Sequence, residues 1–188
     1  MFFLRTDAGP WVMRHYRRGG LIARLSADAY LWLGEKRTRC FAEWRLLAEL
    51  RRLELPVPAP VAARYVRSGM IYRADLITEQ LPASQTLSAS LLAGALTELQ
   101  WRAIGSTIAR FHAHGVQHAD LNASNILLGT DGAVYVLDFD RGRIRARGAW
   151  EQAVLARLKR SLDKLKAQRG EVAFGERQWQ WLEEVASG

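Results

Sequence analysis

Two short apolar runs, Ile126-Leu127-Leu128 and Val134-Tyr135-Val136-Leu137, flank the polar segment Gly129-Thr130-Asp131-Gly132. Runs this short, separated by a glycine-bounded turn, leave a β-hairpin as the only economical reading. A hairpin returns the chain to its starting end. It therefore brings together the residues just before the first run and just after the second, which are Asn125 and Asp138. Polar residues crowd that end. Upstream stands His118-Ala119-Asp120-Leu121-Asn122-Ala123-Ser124-Asn125, and downstream Asp138-Phe139-Asp140.

The spacing His-x-Asp-Leu-x-x-x-Asn, hairpin, Asp is the frame of a kinase-like phosphotransferase. Phosphoryl transfer passes through a loose, charge-rich transition state, so a catalyst mainly positions reactants and supplies counter-charge. Asp120 is the candidate to take the proton of an acceptor hydroxyl. Asn125 and Asp138 are the candidate ligands of Mg²⁺, which prefers hard oxygen donors. His118 joins Asp120 in the catalytic group, bracing the loop and the Asp138 turn by hydrogen bonds rather than carrying protons. His-x-Asp or Asp-Phe-Asp alone is common in turns; the joint pattern, in register about a hairpin, is what carries the reading.

Along the 188 residues, strands lead and helices follow. Segments 2–5 and 11–16 read as paired strands around a turn at 6–10, and 61–66 and 71–78 as another pair. The pattern predicts one or two short helices over 21–33. A further helix is expected over 38–53, with Phe41, Trp44, Leu47, Leu50 and Leu53 on its apolar face. Pro56, Pro58 and Pro60 then force an extended linker. Helices are expected over 87–93, 96–113, 150–168 and 174–185. Ile104, Ile108 and Phe111 should point inward from one, and Val154, Leu158, Leu162 and Leu165 from another. A break near 80–84 divides a single domain into an N-lobe, 1–80, and a C-lobe, 81–188. The expected fold class is α+β and protein-kinase-like, a small β-rich N-lobe hinged to a helical C-lobe, with a nucleotide between them.

Three stretches resemble the lipopolysaccharide-core sugar kinases: Val12-Met13-Arg14-His15-Tyr16-Arg17-Arg18-Gly19-Gly20; Phe41-Ala42-Glu43-Trp44-Arg45 with Leu55-Pro56-Val57-Pro58-Ala59-Pro60; and His118-Ala119-Asp120-Leu121-Asn122 with Asp138-Phe139-Asp140-Arg141-Gly142. The resemblance implies ATP-dependent phosphorylation of a hydroxyl, at position 4, of 3-deoxy-D-manno-octulosonic acid (Kdo) on a lipid A precursor. It implies work at the cytoplasmic face of the inner membrane, with ATP and Mg²⁺ as cofactors. By the same resemblance Arg14 takes the place of a phosphate-binding lysine and Glu43 that of its ion-pair partner, although a guanidinium fork differs from an ammonium. Glu79 and Leu81, at a strand exit, would meet the adenine edge through backbone groups. The chain opens in what reads as the second strand of such a lobe. Gly9-Pro10 and Gly19-Gly20 are out of place for a glycine-rich phosphate loop, so the first strand and that loop are expected to be missing.

Charge points the same way without choosing a partner. Lys and Arg number 27 against 19 Asp and Glu, a net +8 that favours anionic partners such as nucleotide phosphates or an anionic membrane surface. Arg17, Arg18, Arg141 and Arg143 stand beside predicted site elements. Lys159, Arg160, Lys164, Lys166 and Arg169 read as the solvated face of a helix. No nucleic-acid-binding motif accompanies the charge. The opening residues lack a signal peptide's apolar stretch and Cys40 is the only cysteine, both in keeping with a reducing compartment. Two other readings share the frame: a small-molecule kinase of the aminoglycoside or choline type, and an inactive nucleotide-binding pseudokinase. A protein kinase fits less well, because Asp138-Phe139-Asp140 lacks the usual glycine.

Overall fold

A computed structural model describes residues 1–17, 28–170 and 172–188. The expected helix over 21–33 falls largely outside them, as do Arg18 and the Gly19-Gly20 turn. The chain divides into two compact units, Met1–Leu53 with Pro58–Leu81, and Glu54–Val57 with Pro82–Gly188.

In the first unit, β1 (Phe2–Thr6) and β2 (Gly9–His15) form a tight hairpin, closed by Thr6 Oγ1 donating to the Gly9 carbonyl at 2.7 Å. A two-residue strand, β3 (Tyr30–Leu31), follows, then helix α1 (Arg39–Arg52) and the hairpin β4 (Pro60–Ser68) and β5 (Ile71–Glu79). β5 organises the sheet. It pairs antiparallel with β4 along its length, and with β2 and β3 at its two ends. Tyr30 and Leu31 thus lie in a strand where the sequence pattern predicted helix. Pairing of Tyr30 with Tyr72, and the Trp32 N–H donated to the Met70 carbonyl at 2.8 Å, override local preference.

The buried stripe of α1 is also turned from the expected one. Cys40, Glu43, Leu47 and Leu50 are buried, whereas Phe41, Trp44 and Leu53 are half-buried. The stripe follows i, i+3, i+7, i+10, normal for a core-facing helix, but it admits a carboxylate that an apolar count passes over. Cys40 is fully buried, and burial raises its thiol pKa, as for an inert core cysteine.

In the second unit, α2 (Leu87–Ala93) is N-capped by Thr86, and α3 (Glu98–Ala113) opens on a Thr97–Gln100 capping box. Trp101, Ile104, Ile108 and Phe111 fill the core from α3. The last helix, α5 (Glu176–Ala186), lies so close to α3 that a Cβ on Gly105 would stand 2.3 Å from the Leu182 carbonyl oxygen. Trp179 of α5 is buried and Trp181 half-buried. The long helix α4 (Trp150–Arg169) buries Val154, Leu155, Leu158 and Leu162, with Leu165 at the margin. Three small strands, β6 (Ser84–Thr86), β8 (Ile126–Gly129) and β9 (Val134–Val136), make one sheet, and β7 (Val116–Gln117) pairs with β10 (Arg143–Ile144). No helix among the described residues is long and apolar enough to cross a membrane.

Candidate active site

The β8–β9 hairpin has the register Ile126↔Val136, Leu127↔Tyr135, Leu128↔Val134. One step beyond it, the Leu137 N–H donates to the Asn125 carbonyl at 2.8 Å. That bond holds the residue before Asp138 against Asn125, so the two expected metal ligands emerge at one end of the hairpin. Asp138 then turns sharply with φ 61°, a left-handed conformation that aspartate tolerates better than most side chains.

His118 connects the loop to this turn. It is 5% exposed, and both ring nitrogens are engaged. Nδ1 faces the Asp120 N–H at 3.1 Å and must accept, so the proton sits on Nε2 and is donated to the Leu137 carbonyl at 2.8 Å. Burial holds its pKa below the ordinary histidine value, which keeps the ring neutral and this tautomer in place. The Phe139 ring packs 4.8 Å from it, and Phe111 packs 5.5 Å from Phe139. His118 is therefore a brace between the two halves of the site, with no free nitrogen for proton transfer.

The Asp120 carbonyl is the second anchor. It accepts from Asn122 Nδ2 at 2.9 Å and from Asn125 Nδ2 at 3.0 Å. Spending the Asn125 amide nitrogen on the loop leaves its Oδ1 as the remaining donor atom, which together with the Asp138 carboxylate is an all-oxygen set suited to Mg²⁺. Among the described residues no three His, Cys, Asp or Glu side chains cluster to hold a metal by themselves. Such a set fits a cation that completes its shell with water and substrate phosphate.

The Asp120 carboxylate itself is 55% exposed and meets Arg157 of α4. Arg157 Nε donates to Oδ1 at 2.6 Å, and Nη2 is in ion-pair contact with the same oxygen. Periodicity assigned the basic residues of this helix to a solvated face and did not single out Arg157. A contact spanning 37 residues leaves no local trace, although the absence of Lys or Arg from 117–128 is a usable hint. One turn on, Ser161 Oγ accepts the Ala123 N–H at 3.1 Å and ties α4 to the loop.

In the first unit, Arg14 on β2 and Glu43 on α1 form an ion pair, with the carboxylate 2% exposed. Tyr16 donates to the same Glu43 oxygen at 2.5 Å, and the Arg14 guanidinium stacks 4.7 Å from the Tyr16 ring. Burial, and then the neighbouring Glu43 charge, push the Tyr16 phenol far above its usual range, so it remains a donor. Sequence reasoning missed Tyr16, although its position two residues after Arg14 puts both on one strand face. Glu79 ends β5 exposed, its N–H bonded to the Ala59 carbonyl at 2.9 Å, and Leu81 follows half-buried. Arg17, Arg141 and Arg143 are exposed.

A strand cation paired with a helix glutamate, then a catalytic loop, a hairpin and a metal-type Asp, is the element order of protein-kinase-like chains. A model of the lipopolysaccharide kinase (Kdo/WaaP) family matches residues 1–185. A 3-deoxy-D-manno-octulosonic acid kinase of Stenotrophomonas maltophilia is 48% identical over 170 residues, covering 89% of this chain and 68% of that protein. One of Xylella fastidiosa is 47% identical over 169 residues, with the same coverage of 89% and 68%. Among solved structures, the Cydia pomonella granulovirus kinase PK-1 is 14% identical with a TM-score of 0.49, over 72% of this chain and 44% of that one. The chain belongs to the lipopolysaccharide kinase (Kdo/WaaP) family.

Proposed function

We propose that this protein transfers the γ-phosphoryl group of ATP to the 4-hydroxyl of Kdo on a lipid A precursor, a step of lipopolysaccharide core biosynthesis. The observation that carries the reading is the braced loop: the His118 ring, the Asp120 carbonyl and the Asn125 carbonyl bind Asp120, Asn125 and Asp138 into one rigid frame. Family membership and the similarity to proteins named as Kdo kinases supply the acceptor.

In this reading Asp120 accepts the proton of the attacking hydroxyl while its loop keeps the carboxylate at a fixed height. His118 holds the loop and the Asp138 turn in register. Asn125 and Asp138 would hold Mg²⁺, which supplies counter-charge to the phosphates. Arg14, fixed by Glu43 and Tyr16, presents a preorganised guanidinium suited to phosphate oxygens. The backbone carbonyl of Glu79 and the backbone amide of Leu81 serve the adenine edge.

The decisive experiment is incubation of the protein with Mg-ATP and Kdo-bearing lipid A precursor. Mass spectrometry should find one added phosphate on the Kdo unit, at the 4-position. Phosphorylation of aminoglycosides or choline instead, or nucleotide binding without turnover, would refute the reading.

In this reading the reaction runs at the cytoplasmic face of the inner membrane, with the protein attached peripherally. Exposed Arg17, Arg141 and Arg143 and the net charge of +8 support electrostatic attraction to anionic headgroups, at about 1 kcal/mol per well-placed cation. Vesicle co-sedimentation should rise with anionic lipid content and fall with added salt. Equal binding to neutral and anionic vesicles would refute it.

A further inference from the structure

The loop that carries the proposed base contains no cation. From Gln117 to Leu128 its only titratable groups are Asp120 and His118, and His118 is buried and held neutral by its hydrogen bonds. Yet a hydroxyl attacking a phosphoryl group brings several negative oxygens to one place, and fixed positive charge near that point is what such reactions need. The cation arrives from another element. Arg157 projects from α4, donates from Nε to Asp120 Oδ1 and places Nη2 in ion-pair contact with the same oxygen.

Three features make this more than a chance surface pair. First, α4 is anchored on either side of Arg157: Val154, Leu155 and Leu158 are buried in the core of the unit, and Ser161, one turn on, accepts the Ala123 N–H of the loop itself. Arg157 and Ser161 are four apart and so share a helix face, the one against the loop. Second, the geometry is one-sided. The hydrogen bond and the ion-pair contact both fall on Oδ1, and no side chain among the described residues hydrogen-bonds to Oδ2. Third, the pair is half-exposed, with 48% of the Arg157 side chain and 55% of that of Asp120 accessible. Ion pairs of that exposure contribute little to folding, so stability is a poor account of why it is built.

We propose that Arg157 is a positioning residue for phosphoryl transfer: it fixes the Asp120 carboxylate by Oδ1, so that Oδ2 faces the acceptor, and supplies the cation that the loop lacks. The inference rests on the kinase reading and adds to it. The acceptor hydroxyl gives its proton to Asp120 Oδ2 and its oxygen forms the new bond to the γ-phosphorus. The bond from that phosphorus to the β,γ-bridging oxygen breaks, and ADP leaves with that electron pair.

The test compares wild type with Arg157→Gln, Arg157→Lys and Arg157→Ala, using Mg-ATP and Kdo-bearing lipid A precursor. Loss of a preorganised donor of this kind should lower kcat by roughly 10- to 100-fold in Arg157→Gln. The KM for ATP should stay within about twofold, because the nucleotide-binding groups are untouched. Melting temperature should move by no more than about 2 °C. Arg157→Lys should recover part of the loss, since an ammonium restores charge but not the fork. Guanidinium added at tens of millimolar should raise the rate of Arg157→Ala and leave wild type and Arg157→Gln unchanged, which a structural role would not produce. A kcat for Arg157→Gln within about twofold of wild type overturns the inference, as does a loss confined to acceptor KM. A wild-type protein that turns over no Kdo acceptor overturns the functional reading instead, and this inference with it.

Discussion

Replacing Arg14 by Met, which keeps most of the stem and removes the charge, tests the small-lobe network most directly. Glu43 is a carboxylate with 2% of its side chain exposed, held by Arg14 and by the Tyr16 hydroxyl. Removing one partner of a buried pair costs about 3–5 kcal/mol, because an uncompensated charge stays behind. Two facts move the expectation to the lower end. Arg14 is itself 25% exposed, so water can enter where the guanidinium was, and Tyr16 still donates. We therefore expect Arg14→Met to lower unfolding free energy by about 3 kcal/mol. Glu43→Gln should cost less, about 1–2 kcal/mol, because the amide still accepts from Tyr16 and the freed guanidinium can hydrate. The double variant Arg14→Met with Glu43→Gln should be less destabilised than the sum of these two single variants by about 2 kcal/mol. Urea unfolding followed by circular dichroism supplies the free energies, and ATP turnover of the same proteins should fall in both single variants. Additive free energies within about 0.5 kcal/mol would show that the two groups do not act as a unit, and the argument for a preorganised phosphate-binding arginine would fail.

Asp120→Ala should lose turnover by roughly 10²- to 10⁴-fold while calorimetric titration still detects Mg-ATP, since Asn125 and Asp138 remain; near-wild-type turnover would remove Asp120 from the chemistry. His112 is 2% exposed, its Nδ1 has no hydrogen-bond partner among the described residues, and burial depresses its pKa. The unfolded state therefore binds a proton before the folded state does, so stability is fully present above the ordinary histidine pKa and declines as pH falls through it. His112→Leu should flatten that acidic decline and add about 1 kcal/mol at neutral pH, read from melting curves between about pH 5 and 8. Gly105→Ala should destabilise by about 1–3 kcal/mol in thermal unfolding, because its Cβ meets the Leu182 backbone oxygen at 2.3 Å and α3 and α5 must part.

What the sequence by itself determined is what depends on neighbours in the chain. The hairpin 126–136 follows from two apolar runs and a glycine-bounded turn, and apolar periodicity placed helices over 87–93 and 96–113, the second of which begins at Glu98 behind its capping box. The grouping of Asp120, Asn125 and Asp138 follows from loop spacing and from that hairpin. Tertiary structure alone decided the rest. It made Tyr30–Leu31 a strand, because β5 offered partners that a two-residue segment cannot advertise. It turned α1 so that Glu43 faces inward, where Tyr16, 27 residues away, joins the Arg14 partner that the family resemblance had already assigned to it. It also joined His15, Asp28, Arg64, Arg73 and Asp75 into one ionic network across three strands and the approach to β3. And it brought Arg157 to Asp120 across 37 residues. Local pattern reports which face of an element is buried on average; which charge meets which is set by pairings that exist only once the elements have packed.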